Sequence, residues 1–231
     1  MEKDQLAEYE RNLKISKDQI LREEAEMDFL SELANNRISS KVVFYGGTAL
    51  RLAYGSPRFS EDIDLITVKP VIFSEFEKFI KYIVKNNSSR WKLKDIKNKR
   101  NTFFALIVIE DEKLKHNFSI KIEIHKPDRK VNLKTELVLL KSPVSIAEPL
   151  FFVPTLEELQ RLKEGAFSRR KKARDIFDLW YISQSLRKDF VLPNAVSNYS
   201  RREFENELQV FLPPKYYPVI KQLYGKINRK N

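Results

Sequence analysis

The sequence predicts an α+β chain: a mixed β-sheet of about five strands with flanking helices, followed by a helical C-terminal region. Runs with apolar residues at three- and four-residue spacing open and close the chain. Between them lie short, alternating, β-branched runs. The last of these is "PLFFV", and beyond it only helical periodicity remains.

Residues 3–35 read as helical, because "LAEYERNLKISKDQILREEAEMDFLSELA" carries Leu, Ile and Phe at helical spacing and has no Gly or Pro. "KVVFYGG" is a short strand stopped by two glycines. "TALRLAYG" is a helical turn or two ending at Gly55, and "EDIDLITV" alternates as a strand does. "FSEFEKFIKYIVKNN" is an amphipathic helix with Ser74 as its expected N-cap and Glu77 three residues on. Strands follow in "RWKLKDI" and "NTFFALIVIED", joined by the basic turn "KNKR", then in "NFSIKIEIHK", "VNLKTELVLL" and "PLFFV". At "PTLEEL", Thr155 and Glu158 form a capping-box pattern. Helices are then expected in "TLEELQRLKEGAF", "ARDIFDLWYISQSL", "RREFENELQVFL" and "KYYPVIKQLYGKI". The change of character divides the chain into residues 1–153, with the sheet and the N-terminal helix, and a helical domain at 154–231.

Composition narrows the class. A chain of 231 residues buries a sizeable core without disulfide or structural metal. Having no cysteine, it excludes thiolate zinc sites. The opening segment "MEKDQLAEYE" is too charged for a signal peptide. The longest apolar run, "FFALIVI", falls far short of the roughly 20 residues that span a bilayer. A cytoplasmic protein with no membrane partner is expected. Its 43 Lys and Arg outnumber 32 Asp and Glu, and a net charge of +11 attracts polyanions such as nucleic acid.

The stretch "FYGGTALRLAYGSPRFSEDIDLI" carries the chemistry. Of only five glycines, two adjoin at Gly46 and Gly47, where a strand gives way to a helix. Such a junction offers free backbone N–H groups to a phosphate, with no Cβ in the way, and Thr48 adds a hydroxyl. Asp62 and Asp64 share one face of the following strand, while Ile63 and Leu65 take the other. Paired carboxylates on a half-buried strand repel one another unless a cation joins them, and magnesium, or manganese, suits an all-oxygen donor set. A nucleoside triphosphate with its metal fits this pattern, although no Walker A sequence is present. Glu123 lies on the same strand face as Ser119, Lys121 and His125. It becomes a third carboxylate, as general base or metal ligand, if its strand neighbours that of Asp62; otherwise it pairs with Lys121 on an exposed strand. His125 reads as a surface residue. In "LKEGAFSRRKKARDIFDLW", Lys163 precedes a basic run, and Asp175 and Asp178 share one helix face. The basic run forms a cationic wall over a triphosphate or an RNA backbone, or else a solvated connection. Asp175 or Asp178 would orient Lys163 or Arg174, or simply pair with Arg174 or Lys171. Trp91, set among cations, is a candidate for base stacking or for the core.

These residues resemble the AbiEii/AbiGii family of toxins with a nucleotidyltransferase fold, in the DNA polymerase β-like superfamily. "GGTALRLAYGSPRFSEDIDL" matches the family's first motif, with Arg58 and Ser60 in register, and "KEGAFSRRKKARDIFDL" resembles its later one, through Lys163, Ala166, Arg170, Arg174, Asp175 and Asp178. The resemblance covers roughly residues 35–185. It implies a nucleotidyltransferase-like sheet and magnesium-dependent transfer of a nucleoside monophosphate from an NTP to an acceptor. That acceptor is expected to be RNA, with the 3′ end of tRNA a known target in the family, and a cognate antitoxin is implied as partner. Asp62, Asp64 and Glu123 are the implied metal ligands. Gly46, Gly47, Thr48, Arg58, Ser60, Lys163, Arg170 and Arg174 are the implied nucleotide-binding residues. By the same resemblance Ser60, Lys163 and one of Asp175 or Asp178 join Asp62 in the functional core. Two rivals use the same residues: a catalytically inactive protein of this fold that binds RNA or a nucleotide, and a metal-dependent nuclease.

Overall fold

The computed structural model describes residues 1–128, 131–193 and 199–230. Its N-terminal segment is two helices rather than one, α1 (Lys3–Leu13) and α2 (Lys17–Ala34). Lys14 adopts a left-handed conformation that ends α1, and the Ser16 hydroxyl accepts from the Gln19 N–H to start α2. β1 (Val42–Tyr45) leads directly into α3 (Gly46–Tyr54), which Gly55 ends at φ 72°. β2 (Asp62–Thr67) and α4 (Phe73–Asn86) follow. α4 begins two residues earlier than a Ser74 N-cap implies, with Ile72 as its N-cap: Glu75 reaches back to the Ile72 N–H, and Lys41 holds its carboxylate. Then come β3 (Trp91–Lys99), β4 (Thr102–Ile109), β5 (Phe118–His125), β6 (Thr135–Leu139) and β7 (Leu150–Pro154). α5 (Leu156–Arg170), α6 (Ala173–Ser185), α7 (Arg201–Gln209) and α8 (Tyr217–Lys230) complete the chain.

The main sheet runs β1-β2-β5-β4-β3. It is mixed because β2 and β5 are parallel while the other pairs are antiparallel. Period-two alternation sends Ile63, Leu65, Phe103, Ala105, Ile107 and Ile122 into one core. α2 and α4 cover that face, with Phe29 against Phe79 and Phe76 stacked on Phe103 at 5.9 Å. β6 and β7 form a separate hairpin whose Phe151 meets Phe44 of β1.

A second core joins α5 to α8 through Phe167, Ile176, Phe177, Phe204, Leu208 and Ile220. Leu50, Leu159 and Ile182 bridge α3, α5 and α6. Two backbone ties reinforce the junction: Tyr181 donates to the Tyr54 carbonyl at 2.6 Å, and the Phe59 N–H donates to the Phe211 carbonyl at 2.9 Å. The helical region is thus held over the edge of the sheet where β1 becomes α3. Among the described residues, no helix is long and apolar enough to cross a membrane.

Candidate active site

A cleft of about 540 Å³ lies between the sheet and α5–α6. Its floor is the face of β2 and β5 that α2 and α4 leave open. The parallel register sets Asp62 beside Lys121 and Asp64 beside Glu123, so all four side chains share this face. β5 is therefore the neighbour on which a third carboxylate depends.

Asp64 meets no cation within ion-pair distance among the described residues, while burial first and Asp62 second push its carboxyl up to about 6. A divalent ion beside it would relieve both effects. Asp62 and Glu123 are already bridged: the Lys121 ammonium stands 3.1 Å from each. Burial works against that ammonium, but Asp62 and then Glu123 outweigh it and raise its pKa. Among the described residues no ready-made cluster of three metal-ligating side chains exists. The oxygen donors of Asp62 and Asp64 fit a hard divalent cation, whereas Glu123 is paired with Lys121 and, at 3.9 Å, with Lys99.

The glycine pair has two separate reasons. Gly46 has φ +91°, and a Cβ there would sit 2.5 Å from the Asp64 Oδ2. A Cβ on Gly47 would meet Arg58 Nη2 at 2.5 Å and Ser60 Oγ at 2.7 Å. The start of α3 is thus pressed directly against Asp64, Arg58 and Ser60, and its first N–H groups border the cleft. Thr48 does not border it. Fully buried, it donates its hydroxyl to the Asp62 carbonyl at 2.5 Å, so it positions β2 rather than grips phosphate.

The roof is ionic. Asp178, fully buried, accepts from Arg58 Nε and Nη2 at 2.6 and 2.8 Å and from Lys163 Nζ at 2.6 Å. Burial pushes its carboxyl up, but Arg58 and Lys163 prevail and hold it at about 2. Asp175, equally buried, accepts two hydrogen bonds from Arg170 and lies 3.7 Å from Lys163. Both aspartates are consumed in holding cations. Arg58 lines the cleft, but its guanidinium is pinned to Asp178 and to the Phe59 carbonyl. Arg174 borders the cleft too and turns to Glu207 of α7 at 3.8 Å instead of to either aspartate.

Gly46, Gly47, Arg58, Ser60, Asp62, Asp64, Glu123, Lys163, Arg170 and Arg174 therefore border one cleft, while Asp175 and Asp178 stand behind it. Trp91 does not join them: it is 2% exposed, in the first core. Tyr45 and Arg161 also border the cleft, though no motif pointed to them, and so does Arg169, the first cation of the basic run. Only strand alternation, which set Lys121 and Glu123 on one face, hinted at the Lys121 bridge. His125, read as a surface residue, lies at the cleft margin.

Two solved structures share this fold. A Helicobacter pylori protein, JHP933, is 22% identical, with TM-score 0.53, the match covering 74% of this chain and 68% of that one. Another from H. pylori, described as a candidate nucleotidyltransferase, is 21% identical, with TM-score 0.52, the match covering 89% and 81%. No curated protein matches the sequence. Residues 28–222 match the family described as "Nucleotidyl transferase AbiEii toxin, Type IV TA system". That span takes in the sheet, the paired aspartates and the ionic roof, and the chain belongs to the AbiEii family of nucleotidyltransferase toxins.

Proposed function

We propose that the protein transfers a nucleoside monophosphate from an NTP to an RNA acceptor, with the 3′ end of tRNA as target class, and depends on magnesium or manganese. One observation carries this reading: Asp64 lies half-buried with no cation within ion-pair distance among the described residues, beside Asp62, at a glycine-led helix start and under a roof of Lys163, Arg170 and Arg174. Asp62 and Asp64 would hold the metal once Lys121 swings away from Asp62. When bound, the ion supplies Lewis-acid stabilisation of charge on the transferred phosphoryl group. The first N–H groups of α3 and the Ser60 hydroxyl receive the triphosphate. Lys163 and Arg170 offset charge on the departing pyrophosphate, while Asp175 and Asp178 act as positioning residues that keep those cations aimed. An acceptor hydroxyl forms a bond to the α-phosphorus, the bond to the β-phosphate bridge breaks, and pyrophosphate leaves. Glu123 takes the hydroxyl proton. As a family toxin acting in the cytoplasm, the protein would be restrained by a cognate antitoxin.

Incubation with each labelled NTP, magnesium and total tRNA tests the proposal. Label should enter RNA with wild type and not with Asp62→Ala or Asp64→Ala. A folded wild type that labels nothing with any of the four nucleotides refutes transfer. RNA shortened in a metal-dependent way would replace it with nuclease activity.

A further inference from the structure

β4 reads "TFFALIVI" and is apolar on both faces. Phe103, Ala105, Ile107 and Ile109 face the core. Phe104, Leu106 and Val108 face the other way and stay partly exposed. That outer face continues the floor of the cleft. One row of register partners runs Asp64, Glu123, Phe104, Lys97 across β2, β5, β4 and β3. The next runs Asp62, Lys121, Leu106, Asp95, and a third places Thr102 between His125 and Lys99. The acids therefore occupy one end of an apolar strip, and the far end is basic. Lys97, Lys99 and Arg100 are exposed there, and Asp95 is already paired with Lys97 at 2.5 Å. The Lys99 ammonium lies 4.0 Å above the Phe104 ring, so this ring already presents a face to a cation.

An apolar, aromatic-centred strip edged by exposed cations suits a chain with flat bases and a phosphate backbone, rather than an apolar protein surface. We propose that the outer face of β5–β4–β3 is the platform for the single-stranded 3′ end of the acceptor RNA, with a base stacked on Phe104 and backbone phosphates on Lys97, Lys99 and Arg100. Two strand spacings of 4.7–4.9 Å separate Phe104 from Asp64, about 10 Å. That places the terminal hydroxyl at the acids and the preceding nucleotides on the strip. The base takes the place of the Lys99 ammonium, which moves to a phosphate. This inference rests on the reading that the acceptor is RNA.

The test separates binding from turnover. Anisotropy with fluorescent single-stranded RNA and DNA oligonucleotides of one sequence, without NTP, measures the platform in the full-length protein. Phe104→Ala should weaken RNA binding about tenfold, the loss expected for one stacked base, and Phe104→Tyr should restore it. Phe104→Trp should give a fluorescence quenched by oligonucleotide. Lys97→Ala and Lys99→Ala should each lower the salt slope by about 0.7. In the transfer assay, Phe104→Ala should raise KM for RNA about tenfold and leave KM for the NTP unchanged. If wild type transfers label but Phe104→Ala binds and uses RNA as wild type does, the platform is wrong and the transferase reading stands. If RNA binds through Phe104 with no transfer, the platform stands and the transferase reading falls. Absence of oligonucleotide binding to wild type at low salt overturns the platform and leaves the strip to a protein partner, and tighter binding of DNA than RNA also counts against it.

Discussion

Replacing Asp178 by Asn removes one negative charge and little volume. Its carboxylate accepts three hydrogen bonds from two cations, and the side chains of Arg58 and Lys163 are only 2% and 7% exposed. Asp175 stays 3.7 Å from Lys163 but is engaged by Arg170, so Arg58 is the cation left without its acid. The variant therefore leaves buried positive charge uncompensated, which costs about 3–5 kcal/mol. For a chain of this length that corresponds to a Tm lower by roughly 6–20 °C. The pH dependence has a definite sign. Asp178 titrates at about 2 in the folded protein and near 3.9 in an unfolded chain. Its contribution is therefore present above about pH 4 and is lost as pH falls through 2, and its size is of order 2–3 kcal/mol. Asn should remove this part of the acid transition. Lys163→Met is the companion variant: Arg58 still serves Asp178, so it should cost less stability than Asp178→Asn while abolishing transfer. Urea unfolding at pH 7 measures both, and Trp91 and Trp180 report on the first and second cores respectively. An Asp178→Asn protein melting within about 2 °C of wild type would refute the claim that this carboxylate holds the roof together.

Gly46→Ala should cost about 1–3 kcal/mol for its positive φ and displace Asp64, so manganese binding measured by electron paramagnetic resonance should fall with stability. Because Asp64 is pushed up to about 6, its anionic form is lost as pH falls through that value, and divalent-ion affinity should decline below about pH 6; an affinity flat from pH 5 to 7 would contradict this. Lys121→Met removes two ion pairs, each worth roughly 0.2–1 kcal/mol where partly exposed. Calorimetry should then show manganese binding about 2- to 30-fold tighter, and weaker binding would mean that Lys121 organises the acids rather than competing for them.

The sequence alone determined the elements and their chemical content. Alternation in "DIDLI" and "FSIKIEIH" put carboxylates on one face and Ile or Leu on the other, because successive side chains of a strand must oppose. The glycine pair, Thr155 as a cap and the helical periodicity after it were equally local features. What it left open was whichever partner lay far along the chain. That β5 pairs with β2 in parallel, setting Glu123 beside Asp64, depends on strand order, which no local pattern encodes. The same holds for Arg58 reaching Asp178 across 120 residues and for Lys121 bridging two acids on neighbouring strands. Thr48 and Trp91 went inward for a related reason. A hydroxyl beside a carbonyl, or an indole beside a core, is satisfied by whatever the tertiary fold brings to it. Local periodicity decides which way a side chain faces, and only the folded chain decides what it faces.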